Sequence, residues 1–374
     1  MTLIEVGEDL AALDAAIEAL PASPAVFALW PREGDPYIAK TALLRRRLLR
    51  LLRERDRPSR LLSLRHTVRR IEYRLTASTF ESSLELYALA RRCFPETYLK
   101  LLKLRMPPYL RIVLSNEFPR SLITTHLGRT AGLYFGPFRT RASAERFESQ
   151  FLDLFQMRRC QEDLVPSADH PGCMYGEMGM CLRPCQEVVG PAEYRHEIDR
   201  VTDFLRTGGH SLLDAIAHSR DRLSEEMAFE EAARLHKRFE KVQEVLKLRD
   251  ELVSDLDRLN GVAIARSTAP DAVEVWAVRA GHLQPRQRLD FEVHEGKPVS
   301  LDRKLREMFA AVEVARLTLL EQQESLALLA RWYYSTWRDG EWIGFESFEE
   351  APYRKLVNAV SRVAHGASAT QMAP

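Results

Sequence analysis

The chain has 374 residues, of which 45% are hydrophobic and 29% charged, and its formal net charge is +1. That length can enclose about two to four cores, and the ordinary balance of residue types marks a globular protein. The near-neutral charge excludes a global field that draws the chain to nucleic acid or membrane, so any such attraction must come from local patches; no apolar run approaches the roughly 18 residues that cross a bilayer.

Residues 1–20 carry Glu5, Glu8, Asp9, Asp14 and Glu18 and no base, which reads as an amphipathic helix and not as a signal peptide. A cytoplasmic location with reduced thiols is the expectation. From Pro21 onward, Ala25 to Trp30 and Tyr37 to Ala39 read as two strands joined by a turn through Gly34. Between Thr41 and Arg70 stand eleven arginines and no lysine, interleaved with leucines at helical spacing. This predicts a pair of helices, each with a buried side and an arginine side. Such a face can be merely solvated, but arginine without lysine favours bidentate phosphate contact, so Arg45, Arg46, Arg50 and Arg53 are candidate DNA-binding residues.

Further along, Ile71 to Leu75 reads as a strand and Ser78 or Thr79 as the cap of a helix running to about Arg92. Tyr109 to Leu114 and Leu122 to Leu127 are strand candidates, and Ala142 to Phe155 reads as a helix that leads to Cys160. Four of the five cysteines then follow as Cys160, Cys173, Cys181 and Cys185. Clustered thiols in a reduced compartment suit a metal better than disulfides. Zinc and an iron–sulfur cluster both accept four thiolates, and small apolar packing is the plain alternative. Pro171-Gly172 and the glycines at 176 and 179 make the segment loop-like, which argues against packing alone. Cys93 lies outside this set.

Past Pro191 the pattern turns helical. Leu212 to Met227 and Phe229 to Leu252 form an expected antiparallel hairpin broken near Ala228. From about Leu259, Gly261 to Ala265, Ala272 to Val278 and Leu289 to Phe291 alternate like strands, and Leu301 to Trp337 reads as mostly helical. Trp332, Tyr333, Tyr334 and Trp337 are expected in a core. The whole is an α+β protein divided as 1–20, 21–105, 106–190, 191–255 and 256–374.

Taken in order, these residues resemble the N-terminal part of the UvrC excinuclease family, from about Pro21 to about Phe291. Val26-Phe27 and Tyr37-Ile38-Ala39-Lys40 match the two halves of a GIY-YIG nuclease motif. Arg47, Thr76 to Ser78 with Glu81, Pro95, Pro108-Tyr109, Phe118 to Arg120 and Tyr134 to Phe138 follow in sequence. The resemblance implies DNA repair by nucleotide excision, with an iron–sulfur cluster (4Fe-4S) on the four cysteines and zinc as the alternative. It likens Phe229 to Leu235 to a UVR motif that pairs with UvrB, with Phe229, Glu230, Ala232, Ala233 and Leu235 as contact candidates. It likens residues 256–374 to the UvrC middle domain ahead of a second, ribonuclease H-like nuclease, for which the remaining residues are too few.

The departures from that family concern chemistry. A GIY-YIG site uses a nucleophile-activating group, a cation that stabilises the phosphorane and a carboxylate that holds a divalent metal ion. Tyr37, Lys40 and Arg47 stand at matching positions, but the tyrosine of the first half is Phe27. The metal-binding glutamate corresponds to Leu86 and the closing asparagine to Tyr98. A hard cation needs oxygen ligands, and leucine has none. The expectation is therefore a DNA-binding relative that contacts a UvrB-type partner with lost or reduced cutting. The alternatives are an active endonuclease making a single 3′ cut, and a regulatory protein with a redox-sensitive cysteine element.

Overall fold

The computed structural model describes residues 1–7, 10–52, 64–291, 293–294, 297–310 and 315–366. It is α+β, built from three units in chain order.

The first unit is an antiparallel sheet in the order β1-β4-β2-β3. Its elements are β1 (Thr2–Glu5), α1 (Leu10–Glu18), β2 (Ala25–Pro31), β3 (Tyr37–Thr41), α2 (Leu44–Leu52), β4 (Val68–Leu75), α3 (Thr79–Cys93) and α4 (Tyr98–Leu102). Residues 1–20 are thus not one helix. Thr2 to Glu5 add an edge strand antiparallel to β4, and helix begins only at Leu10. Side chains alternate across a strand, so each β2 residue chooses a face. Phe27 and Leu29 pack with Leu13, Ile17, Leu44 and Leu48 of α1 and α2. Val26 and Ala28 pack with Leu86 and Leu89 of α3. The predicted second arginine helix falls largely on residues 53–63, outside the described residues. The part that is described, from Leu64, is a turn and then β4.

The second unit has β5 (Tyr109–Val113), β6 (Arg120–Thr124), β7 (Gly132–Gly136), α5 (Arg141–Leu152), α6 (Met174–Glu177), α7 (Pro191–Arg206), α8 (His210–Glu225), α9 (Phe229–Leu246) and β8 (Ser254–Asp255). The sheet runs β6-β5-β7-β8. A row of phenylalanines at 135, 138, 147, 151 and 155 fills the space between this sheet, α5 and α7. Gly136 is required by close approach, since a Cβ there would lie 2.7 Å from the Tyr109 ring.

The third unit has β9 (Asn260–Arg266), β10 (Ala272–Arg279), β11 (His282–Leu283), β12 (Gln287–Asp290), β13 (Val293–His294), β14 (Lys297–Pro298), α10 (Leu301–Ala310), α11 (Leu319–Tyr333), β15 (Gly340–Phe345) and α12 (Tyr353–His365). Strand β15, which the sequence pattern does not announce, pairs antiparallel with β9. Trp332 is buried as expected, whereas Trp337 is 84% exposed and belongs to no core. It follows the end of α11, where the chain turns outward before β15.

The first and third units share a core. Phe80 of α3 is buried among Trp276, Leu326, Leu329 and Trp332. Its ring stacks on Trp332 at 4.8 Å and meets Trp276 edge-on at 5.0 Å.

Candidate nucleic-acid interface and cysteine site

Helix α3 is placed by reciprocal capping. Ser78 accepts from the Glu81 N–H at 3.1 Å, and the Glu81 carboxylate accepts from the Ala77 N–H at 2.8 Å. Glu81 is buried and also pairs with Arg286 of the third unit. Burial pushes its carboxyl above the usual range, against the opposing pull of the Ala77 N–H and Arg286. Glu85 pairs with Arg74 at 2.6 Å. Leu86, at the position of the lost metal ligand, packs among Val26, Ala28 and Leu89. Both glutamates that might have replaced it on α3 therefore already have other partners. Tyr98, at the position of the closing asparagine, donates to Glu324 at 2.6 Å.

The sheet also divides the remaining candidates. Tyr37 lies on the α2 side, where Arg47 donates to its hydroxyl at 2.7 Å. Lys40 has the opposite parity and reaches α3, donating to the Ser83 hydroxyl at 3.1 Å. Burial lowers the Lys40 pKa, and Arg331 lowers it further while Asp339 opposes them. Only at the end of the sheet do the two sets approach, where Lys40, Arg46, Arg47 and Arg50 line a shared groove of about 440 Å³. A second cavity of about 370 Å³ joins Lys40 to Thr79 and Asp339. Asp339 comes from the third unit and accepts from the Thr79 N–H at 2.5 Å, from its hydroxyl at 2.7 Å and from the Trp332 indole at 3.2 Å.

The arginine stretch is less uniformly available than its composition suggests. Arg46 and Arg50 are exposed on α2. Arg45 is turned back to the Leu20 carbonyl at 2.5 Å, so it is a structural contact. Arg65 is buried against Asp14 and the Leu52 carbonyl, each at 2.7 Å, and Arg70 lies over the Trp30 ring at 4.6 Å. Arg53 lies outside the described residues.

The cysteine segment is held from beneath by two side chains that no motif singles out. Arg158 is buried, and it donates to the Phe118 carbonyl at 2.9 Å, the Glu162 carbonyl at 3.0 Å and the Cys160 sulfur at 3.1 Å. Tyr194 of α7 donates to the Pro119 carbonyl and accepts from the Arg158 N–H, both at 2.9 Å. The only cue in sequence is the pair Arg158-Arg159 directly before Cys160. Cys181 and Cys185 are buried, Cys160 is half-buried and Cys173 exposed. Burial, followed by the neighbouring Cys160, Cys173 and Cys185, pushes the Cys181 thiol up to about 11. By donor type alone four thiols suit a metal or cluster, and the sulfurs of Cys160 and Cys181 each accept from an N–H. Among the described residues no three His, Cys, Asp or Glu side chains stand in a metal-holding arrangement.

On α9 the partner candidates divide between two sides. Phe229, Glu230 and Ala233 face outward, with Phe229 65% exposed. Ala232 is buried and Leu235 packs toward the hydrophobic core, so these two belong to the hairpin itself.

Residues 108–204 match the family described as UvrC/Cho excinuclease, middle domain. The chain is similar to UvrC proteins over most of its length. It is 27% identical to the UvrABC system protein C of Lachnospira eligens over 76% of this chain and 47% of that protein. It is 26% identical to that of Methanothermobacter thermautotrophicus over 91% of this chain and 58% of that protein. For that of Hyphomonas neptunium the identity is 28%, over 70% of this chain and 43% of that protein. The chain spans about half the length of the curated relatives it matches. The middle-domain match falls on the cysteine-bearing unit, N-terminal of the region 256–374 to which the resemblance assigned that label. No solved structure matches the chain. No helix among the described residues is long and apolar enough to cross a membrane.

Proposed function

We propose that this UvrC relative acts in nucleotide excision repair as a DNA-binding protein that docks on a UvrB-type partner and has lost the GIY-YIG cut. The observation that carries this reading is on α3. The metal-ligand position is Leu86, inside an apolar cluster, while Glu81 and Glu85 are committed to Arg286 and Arg74. A divalent cation would find no oxygen cage there. What remains at the sheet end is positive: Arg46, Arg47, Arg50 and Lys40 around one groove suit backbone phosphate. The chain is expected to bind lesion DNA together with UvrB in magnesium or manganese without incising it. Incision that disappears in Arg47→Ala would overturn this reading in favour of a single-cut nuclease.

The four cysteines are proposed to hold an iron–sulfur cluster, with zinc as the alternative. Cys160, Cys173, Cys181 and Cys185 would supply the thiolates, and the cluster would act as a structural or redox-sensitive fastener of the loop that Arg158 and Tyr194 anchor. Anaerobically purified protein is expected to absorb visible light in the iron–sulfur charge-transfer region. A colourless protein carrying one zinc ion would replace the cluster by zinc.

A further inference from the structure

A concave feature lies apart from all three sites above. Where the α7–α8 turn, the end of α9 and the β9–β15 edge meet, a cavity of about 680 Å³ is lined by Arg206, Arg249 and Arg258. None of the three guanidinium groups makes a hydrogen bond or ion pair among the described residues, although Arg206 and Arg258 lie close enough to Asp255 to oppose the upward push of burial on its carboxyl. Arg249 is the informative member. Burial lowers its pKa, and no neighbouring acid offsets that cost. The backbone makes room for it at Gly208, whose φ is +59°. A Cβ there would stand 3.1 Å from both terminal guanidinium nitrogens.

Nearby acids do not neutralise the trio. Glu251 pairs with Lys355 at 3.1 Å and accepts from the Gly344 N–H at 3.2 Å. Asp250 lies near the Tyr334 hydroxyl, which donates to the Pro137 carbonyl at 2.9 Å. Asp255 is buried, and burial pushes its carboxyl up. Asp250, Glu251 and Glu346 are the acids of the lining, all of them exposed to solvent, which screens their charge. A desolvated cation without a counter-charge is costly in the fold and cheap to satisfy with an anion. The planar donor fork of arginine matches phosphate oxygens in particular.

We propose that this cavity is a phosphate-binding site, filled either by a free phosphoanion or by a backbone phosphate of bound nucleic acid. The second source rests on the DNA-binding reading above; the first does not. The full chain, Arg249→Gln and Arg258→Gln would each be titrated with inorganic phosphate and pyrophosphate by calorimetry. Each would also be titrated with a labelled DNA duplex by anisotropy across a salt series. Each substitution is expected to weaken at least one probe about tenfold, the scale of one charge-assisted hydrogen bond.

Weaker phosphate or pyrophosphate binding with unchanged DNA binding assigns a free anion. Weaker DNA binding, with a salt slope lower by about 0.9, assigns a backbone phosphate. Arg258 is exposed, so its variant keeps the test alive if Arg249→Gln fails to fold. Unchanged affinity of both variants for all probes overturns the site, as does a wild-type chain that binds none of them. A wild-type chain that binds phosphate but no DNA would sink the DNA reading and leave this site standing.

Discussion

Helices α3 and α9 are both long, amphipathic and rich in charge, yet their outward faces are committed differently. On α3, Thr79 bonds Asp339, Glu81 pairs with Arg286, Tyr87 and Tyr98 just beyond it share Glu324, and Arg91 pairs with Glu321. Every one of those partners belongs to the third unit. On α9, His236 lies 3.6 Å from Glu240 inside the helix and Lys241 pairs with Asp153 at 3.9 Å, while Phe229 is 65% exposed. The helix that would carry the nuclease carboxylate has become a joint between units. The helix that would carry the partner motif keeps a free apolar corner. The two thus separate a face committed to scaffold contacts from the face proposed for docking, and substitutions should separate them further.

The largest effect is expected at the joint. Phe80→Ala removes a ring stacked on Trp332 and edge-on to Trp276 in a core that spans two units. A loss of about 4 kcal/mol is expected for a buried phenylalanine, read by urea unfolding with near-ultraviolet circular dichroism as the tryptophan reporter. A loss below about 1 kcal/mol would mean that the two units do not pack as one.

Glu324→Leu comes next. Glu324 is fully buried and accepts from the hydroxyls of Tyr87 and Tyr98; burial, then the Glu324 hydrogen bond, pushes the Tyr98 pKa up to about 12. Removing the acceptor strands two donors, which should cost about 3 kcal/mol. Adding Tyr87→Phe and Tyr98→Phe to that variant should restore most of the loss, because replacing a whole polar set by apolar groups is nearly neutral. If the triple variant stays as unstable as the single one, the cost comes from packing and not from hydrogen bonding.

This joint shows where sequence patterns reach their limit. The strand pair Phe27 to Ala39, the Ser78 cap of α3 and the hairpin broken near Ala228 are legible because each depends on near neighbours in the chain. The split between Tyr37 and Lys40 is legible in principle from alternation along β3. Asp339 on Thr79 is not, because 260 positions separate the two residues and nothing local marks the contact. Glu324 leaves a faint trace: Glu321 to Ser325 is a polar run at the head of a helix that is buried from Gln322 to Ala330. The N-terminal strand escapes notice because Thr2 to Glu5 is short and forms only by pairing with β4. Arg45 has the sequence setting of a phosphate contact, yet tertiary structure turns it to the Leu20 carbonyl.

The smallest effect on stability, and the sharpest on binding, is expected at Phe229. Its ring covers little of its own fold, so Phe229→Ala should change unfolding free energy by no more than about 0.5 kcal/mol. If α9 docks a similar hairpin on UvrB, the same change should reduce capture of UvrB at least tenfold, the weight of an apolar anchor at a helix interface. Neighbouring alanines supply the internal control. Ala233 is exposed, so Ala233→Arg should fold normally and block docking by bulk and charge. Ala232 is buried against the hairpin, so Ala232→Arg should instead melt α8 and α9. Equal stability of the two arginine variants would mean that the inner and outer sides of α9 are misassigned. Undiminished capture by Phe229→Ala and Ala233→Arg would remove the docking role from this corner of the hairpin.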